Sequence, residues 1–181
     1  MPLDLRPALG APELLAAPVT RALAALAASD PALAARIEVA PIDPGLADTV
    51  EFCAAYGVTL EASANCIVVA GRRGDFVSYA ACVVLATTRA DVNGVVRKML
   101  DARKASFAPM EEATALTEME YGGITPIGLP PEWRILVDSR ISRVPDAIVG
   151  AGIRAAKISL PGEVLCALPG VEVVEGLARE I

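Results

Sequence analysis

With 181 residues, 54% of them hydrophobic, the chain is long enough for one domain with its own core. It holds no histidine, which excludes Ser-His-Asp and Cys-His machinery and the usual imidazole metal sites. The net charge of −6 argues against a broad electrostatic grip on nucleic acid, although local basic groups stand at Arg72 and Arg73 and at Arg97, Lys98, Arg103 and Lys104. In chain order, Pro18 suits the first turn of a helix, and the good helix formers after it carry that helix to Ala28 before Ser29-Asp30-Pro31 breaks it. The stretch RIEVAPI alternates and is β-branched, the pattern of a short strand. Asp48 is placed to cap a helix over VEFCAAYG, and Gly57 to stop it. NCIVVAG is the compact apolar run of a buried strand. FVSYAACVVLAT follows as its hairpin partner, with Gly71 and Gly74 supplying the turn.

Further on, Val92, Val95, Val96 and Met99 share one helical face, which predicts a helix over ADVNGVVRKMLDARK with Asp91 as its cap. A second short helix is expected after Pro109, where Glu111 and Glu112 suit the positive end of the helix dipole. The Gly-rich loop GGITPIGLP occupies residues 122–130. Strands WRILVD, DAIVGAG and AAKISL come next, then a helix at PGEVLCAL and a last strand at VEVVE. Hairpins mixed with crossovers point to an α/β domain with a mixed sheet rather than a regular parallel array. One domain is expected over residues 1–181: an N-terminal extension, 1–42, of a helix plus a short strand, packed on a core at 43–174.

The four cysteines, Cys53, Cys66, Cys82 and Cys166, form no CxxC pair and sit among apolar neighbours, so they are expected to be small core residues rather than a disulfide or zinc site. No uncharged apolar run reaches the length of about 18 to 20 residues that a membrane span needs. The start MPLDLRP lacks the basic-then-apolar order of a signal peptide, so a cytoplasmic protein is expected.

A helix ending in Gly57-Val58, the strand NCIVVAG, a hairpin, a helix, the short acidic helix MEEATALT, GGITPIGLP, a strand ending in Asp138, two more strands and a helix make a specific order. It resembles the YbaK/ProX family of aminoacyl-tRNA editing domains, related to the editing domain inserted in bacterial prolyl-tRNA synthetases, from Asp43 to Val174. The resemblance implies a mixed, curled, barrel-like sheet around a pocket with flanking helices. It implies trans-editing, the hydrolysis of the ester of mischarged tRNA, without cofactor or metal. The implied partner is the tRNA acceptor end carrying an amino acid; no membrane or DNA partner is expected. A homo-oligomer is left open.

Glycines at 122 and 123 allow backbone angles closed to other residues and let a ligand approach the main chain. Amides held this way can bind an oxygen that gains negative charge during ester attack. The family's motif, a glycine followed four positions later by proline, falls on Gly122 and Pro126. Gly122, Gly123 and Asn65 are therefore the candidate catalytic residues, and Ile124, Thr125, Pro126, Gly128 and Asp138 the candidate substrate contacts. Ile67, Ile124 and Ile127 are candidate pocket walls. Asp138 reads equally as a turn residue or as a group that holds the loop or the terminal ribose. Asn65 stands where the family has a lysine thought to engage a backbone phosphate near the acceptor end. Asparagine brings hydrogen bonds but no charge, a loss of about 1.5 to 3 kcal/mol. Arg72 or Arg73 could compensate, and Asn65→Lys is expected to keep or raise activity. The alternative function is a non-catalytic descendant that binds tRNA, a nucleotide or a protein partner.

Overall fold

In the computed structural model, which describes residues 1–181, the first long element is helix α1 (Ala17–Ser29), with Pro18 in its first turn. Val19, Leu23 and Leu26 fall at helical spacing along it, and all three are buried. A single turn, α2 (Pro31–Ala34), returns the chain to the body of the fold. Asp30 caps it by accepting the Leu33 N–H.

Eleven strands form three sheets. The first, in order β1-β2-β9-β8, joins β1 (Arg6–Pro7), β2 (Glu38–Pro41), β9 (Ala156–Leu160) and β8 (Ala147–Gly150), all antiparallel. The second, β10-β7-β4-β3-β6, is built on the long hairpin of β3 (Ala64–Arg73) and β4 (Phe76–Leu85). On one side of that hairpin lie β7 (Arg134–Asp138) and β10 (Val171–Val174), both paired in parallel; on the other lies β6 (Lys104–Phe107), antiparallel. A two-stranded ribbon pairs β5 (Thr88–Ala90) with β11 (Ala178–Glu180). The mixed α/β class read from the sequence holds. The barrel-like closure does not, because both large sheets are open. Their only strand-like link is a parallel bridge between Ser63 and Ile148. Beyond it, the end of β8 turns to the Gly-rich loop, with Gly152 N–H donating to Gly123 O at 2.7 Å, and so cannot extend a ladder along β3.

Residues ahead of position 43 are woven into the core. Strand β2 pairs with β9, and Val19, Leu23, Ile37 and Val39 belong to the largest buried cluster of 26 side chains. Burying each such side chain contributes about 1.5 to 3 kcal/mol.

Three local expectations need correction. The helix foreseen over ADVNGVVRKMLDARK is a π-turn (Val92–Val96) followed by the one-turn α4 (Arg97–Met99), and Lys104 onward is strand β6. Asp91 accepts the Gly94 N–H, and its carboxylate lies where a side chain at 94 would begin, so the first turn is widened. Gly71 lies inside β3 rather than in the hairpin turn; a Cβ there would stand 2.9 Å from Leu100 and Ala102. VEVVE is not the final strand, since β11 follows it. The remaining helices, α3 (Thr49–Tyr56), α5 (Met110–Thr117) and α6 (Gly162–Cys166), fall where expected, and Gly57 ends α3 at φ 70°.

Candidate active site

Where the two large sheets part, a cavity of about 560 Å³ opens to solvent. That volume suits a small ligand group. One wall is the start of β3, residues 64–68, including Asn65, Cys66 and Ile67. The facing wall carries Gly150 from β8 and Lys157 from β9. The start of α3 (Asp48, Thr49), the turn from β6 into α5 (Phe107, Ala108, Met110) and Tyr121, Gly122 and Ile124 of the loop complete it. Apolar residues make up most of its lining. Its mouth is rimmed by exposed large side chains, Phe107 at 60%, Met110 at 52% and Tyr121 at 59%.

Backbone angle at Gly122 and close main-chain packing at Gly123 and Gly150 require these glycines. Gly122 has φ 80°, and a Cβ there would run into the Arg154 guanidinium. A Cβ on Gly123 would stand 2.6 Å from the backbone of Ile153, and one on Gly150 only 2.2 Å from Gly123 O. The loop is thus laid main chain to main chain on the end of β8. Its own hydrogen bonds limit what it can offer a ligand. Gly123 N–H donates to Glu120 O at 2.9 Å, whereas the Gly122 and Ile124 amides meet no protein acceptor.

The polar groups converge from α3, β3 and the β8–β9 turn. Thr49 Oγ1 donates to Asn65 Oδ1 at 2.9 Å, which leaves the Asn65 amide hydrogens free for a ligand. Lys157 Nζ donates to Ala47 O at 3.0 Å and lies 5.2 Å from the centre of the Phe52 ring. Burial, followed by the neighbouring Arg154 guanidinium, holds the Lys157 ammonium below the ordinary lysine range. Arg154 reaches Pro44 O, Tyr121 O and Asp48 Oδ1, tying the Gly122 loop to the start of α3. Asp48, placed to cap α3, makes no cap bond and meets Arg154 instead. Burial likewise pushes the Cys66 thiol up, so the thiol in this cavity is held protonated.

Of the residues picked out from the sequence, Asn65, Ile67, Gly122 and Ile124 come together in the cavity, with Gly123 immediately behind it. Others lie elsewhere. Ile127 is buried in the main core. Pro126 and Gly128 line a separate groove against α1, where a Cβ on Gly128 would meet Pro18 O at 2.5 Å. Thr125 is fully buried, and its Oγ1 has no hydrogen-bond partner. Asp138 is 1% exposed and committed to Arg140 and the Ala178 N–H. Arg73 pairs with Asp101, and Arg72 lies at a different cleft, so neither compensates at Asn65. Sequence reading missed Lys157 and Arg154. The available signal was a charged residue inside AAKISL, a strand that is otherwise apolar or small.

Comparison with known proteins places this chain in one class. The aminoacyl-tRNA editing domain family matches residues 43–168, more than half of the chain, and the protein belongs to that family. Among solved structures, one described as "a putative trans-editing enzyme for prolyl tRNA synthetase" is similar at 20% identity and TM-score 0.73, covering 92% of this chain and 99% of its own. The hypothetical protein APE2540 is similar at 19% identity and TM-score 0.72, covering 85% and 99%. A protein from Marinobacter aquaeolei VT8, described as "a Putative signal transduction protein", matches at 12% identity and TM-score 0.56, covering 90% of this chain and 30% of its own. At these identities the likenesses establish the fold. No curated protein matches the sequence. No helix is long and apolar enough to cross a membrane.

Proposed function

We propose that this protein is an aminoacyl-tRNA deacylase acting in trans, with the cavity between β3 and β9 holding the amino acid and the terminal ribose. The observation that carries this reading is an open cavity with a mainly apolar lining, bounded by Gly122 and Ile124, whose amides are free, within the segment that matches the editing family. The route we assign is substrate-assisted and needs no protein base, with which the absence of histidine agrees. A ribose hydroxyl positions water. Water adds to the ester carbonyl carbon, the bond from that carbon to the ribose oxygen breaks, and the released ribose oxygen takes the proton. The Gly122 and Ile124 amides offer hydrogen bonds to the oxyanion; Gly123 N–H, already bonded to Glu120, holds the loop's shape instead. Lys157 supplies positive charge for an anionic oxygen of the acceptor end, the part the family resemblance gives to a lysine at position 65.

A panel of mischarged tRNAs tests the reading directly: release of at least one amino acid is expected, and no release from any tRNA at high enzyme concentration would overturn it. The second reading, binding without hydrolysis, is favoured by the uncharged Asn65. A closed cavity beside Gly122 would have supported it; the open one supports the deacylase.

A further inference from the structure

The chain is acidic overall, yet one cleft is basic. Half of its 16 Lys and Arg residues form ion pairs. Four of the others, Arg72, Arg97, Arg103 and Lys104, gather around a surface cleft of about 500 Å³. No carboxylate lines this cleft, and Ser106 and Asn93 add neutral polar groups. Arg72 on β3 stands directly opposite Lys104 on β6. Like charges facing each other on antiparallel strands repel, so the arrangement is costly without an anion between or above them.

Strand β6 joins this cleft to the cavity. Lys104 begins the strand at the basic cleft, and Phe107 ends it at the cavity mouth. At the usual rise per residue the two are about 10 Å apart, with side chains on opposite faces of the strand, so a chain running from one to the other crosses the β6 edge. β6 is an edge strand whose only strand partner is β3, and Lys104, Ser106 and Phe107 along it are exposed. Phe107 is 60% exposed, an aromatic face at the entrance that does not serve the core.

We propose that β6 guides the single-stranded 3′ end of an RNA into the cavity: its phosphates lie on Arg72, Arg97, Arg103 and Lys104, and a base stacks on Phe107. Basic grooves interleaved with aromatic platforms are how single strands are held without sequence readout. The proposal rests on the reading of the cavity as an acyl-tRNA site, since it identifies the anion as the RNA leading there.

Binding of uncharged RNA tests it without any hydrolysis. The probe is a fluorescent acceptor-stem hairpin with a single-stranded 3′ overhang, read by anisotropy across a salt series. Arg103→Glu with Lys104→Glu is expected to weaken binding tenfold or more and to make the salt dependence shallower by about one or two in log–log slope. Arg143→Glu, a single charge reversal outside the cleft, should leave affinity within twofold. Phe107→Ala should weaken the overhang hairpin but not a blunt one. The milder pair Arg97→Gln and Arg103→Gln keeps the test decisive if charge reversal unfolds the chain, as checked by thermal melting. Unchanged affinity in the folded cleft variants, or an equal loss from Arg143→Glu, would overturn the proposal. RNA binding that depends on the cleft in a protein that releases no amino acid would support the proposal while removing the deacylase reading alone.

Discussion

Lys157 and Asn65 line one cavity from opposite sheets, the lysine on β9 and the asparagine on β3. Thr49 Oγ1, on the first residue of α3, fixes the asparagine carbonyl, and the lysine ammonium bonds Ala47 O just ahead of that helix. The cavity therefore has its cation, but on the other wall from the position that the family resemblance indicated. Lys157→Gln is expected to lower kcat/KM for deacylation tenfold or more, the size of a lost hydrogen bond to a charged group of about 1.5 to 3 kcal/mol. Asn65→Lys, expected from the sequence alone to keep or raise activity, now has a different forecast. It breaks the Thr49 bond and sets a second ammonium against Lys157, so it should be harmful by itself. Joined to Lys157→Gln, it should recover part of the loss. Steady-state kinetics on the two single variants and the double variant decide this, and simple additivity of the two effects would show that the positions are independent.

The same lysine makes a prediction in pH. Its ammonium titrates below the ordinary lysine value of about 10.4 because it is buried and faces Arg154. Between the folded value and the ordinary one, the folded chain has released this proton while the unfolded chain still binds it. Stability therefore gains with rising pH across that interval, and Lys157 adds no slope below it. Activity that needs the ammonium falls across the same interval. The two profiles run in opposite directions, and Lys157→Gln should remove both features. Denaturant unfolding over a pH series, together with rates corrected for spontaneous ester hydrolysis, measures them.

The sheet and helix order was legible because strands such as NCIVVAG and WRILVD are apolar runs closed by turn residues, and Gly57 and Pro18 punctuate helices at their expected ends. The β6 strand was hidden because KASF carries little strand pattern of its own: it is a strand through pairing with β3, a contact far along the chain. The site was half legible. Glycine spacing marked Gly122, but the spending of the Gly123 amide on Glu120 depends on how the loop folds back, which no local pattern states. Lys157 showed in the sequence only as a charge inside AAKISL; its place in the site was hidden because its partners, Ala47 and Phe52, lie about a hundred positions earlier and meet it only once β9 pairs with β2.

The packing of the loop on β8 should be intolerant of a single methyl group. Gly123→Ala sets a Cβ against the Ile153 backbone, and Gly150→Ala sets one against Gly123 O. Main-chain atoms cannot rotate away as a side chain would. Each substitution should cost at least about 1 to 3 kcal/mol and lower Tm by several degrees. Gly10→Ala meets nothing within 4 Å and supplies the baseline in the same thermal melts. A Gly123→Ala protein as stable as the Gly10→Ala control would remove the packing argument.

Asp138 is expected to act on stability rather than on substrate. Its carboxylate accepts the Arg140 N–H at 3.0 Å and the Ala178 N–H at 2.9 Å, and it pairs with the Arg140 guanidinium, which also donates to Ala178 O. These bonds tie β11 to the end of β7. In Asp138→Ala the buried Ala178 N–H loses its acceptor, at a cost of about 1 to 3 kcal/mol. Asp138→Asn keeps an acceptor and should lose less. Both variants, assayed well below their melting temperatures, should retain kcat/KM per folded molecule. A direct contact from Asp138 to the terminal ribose gives the opposite pattern, a tenfold drop in kcat/KM with Tm unchanged. Melting curves and kinetics on the same two variants therefore separate a stitch between strands from a hand on the substrate.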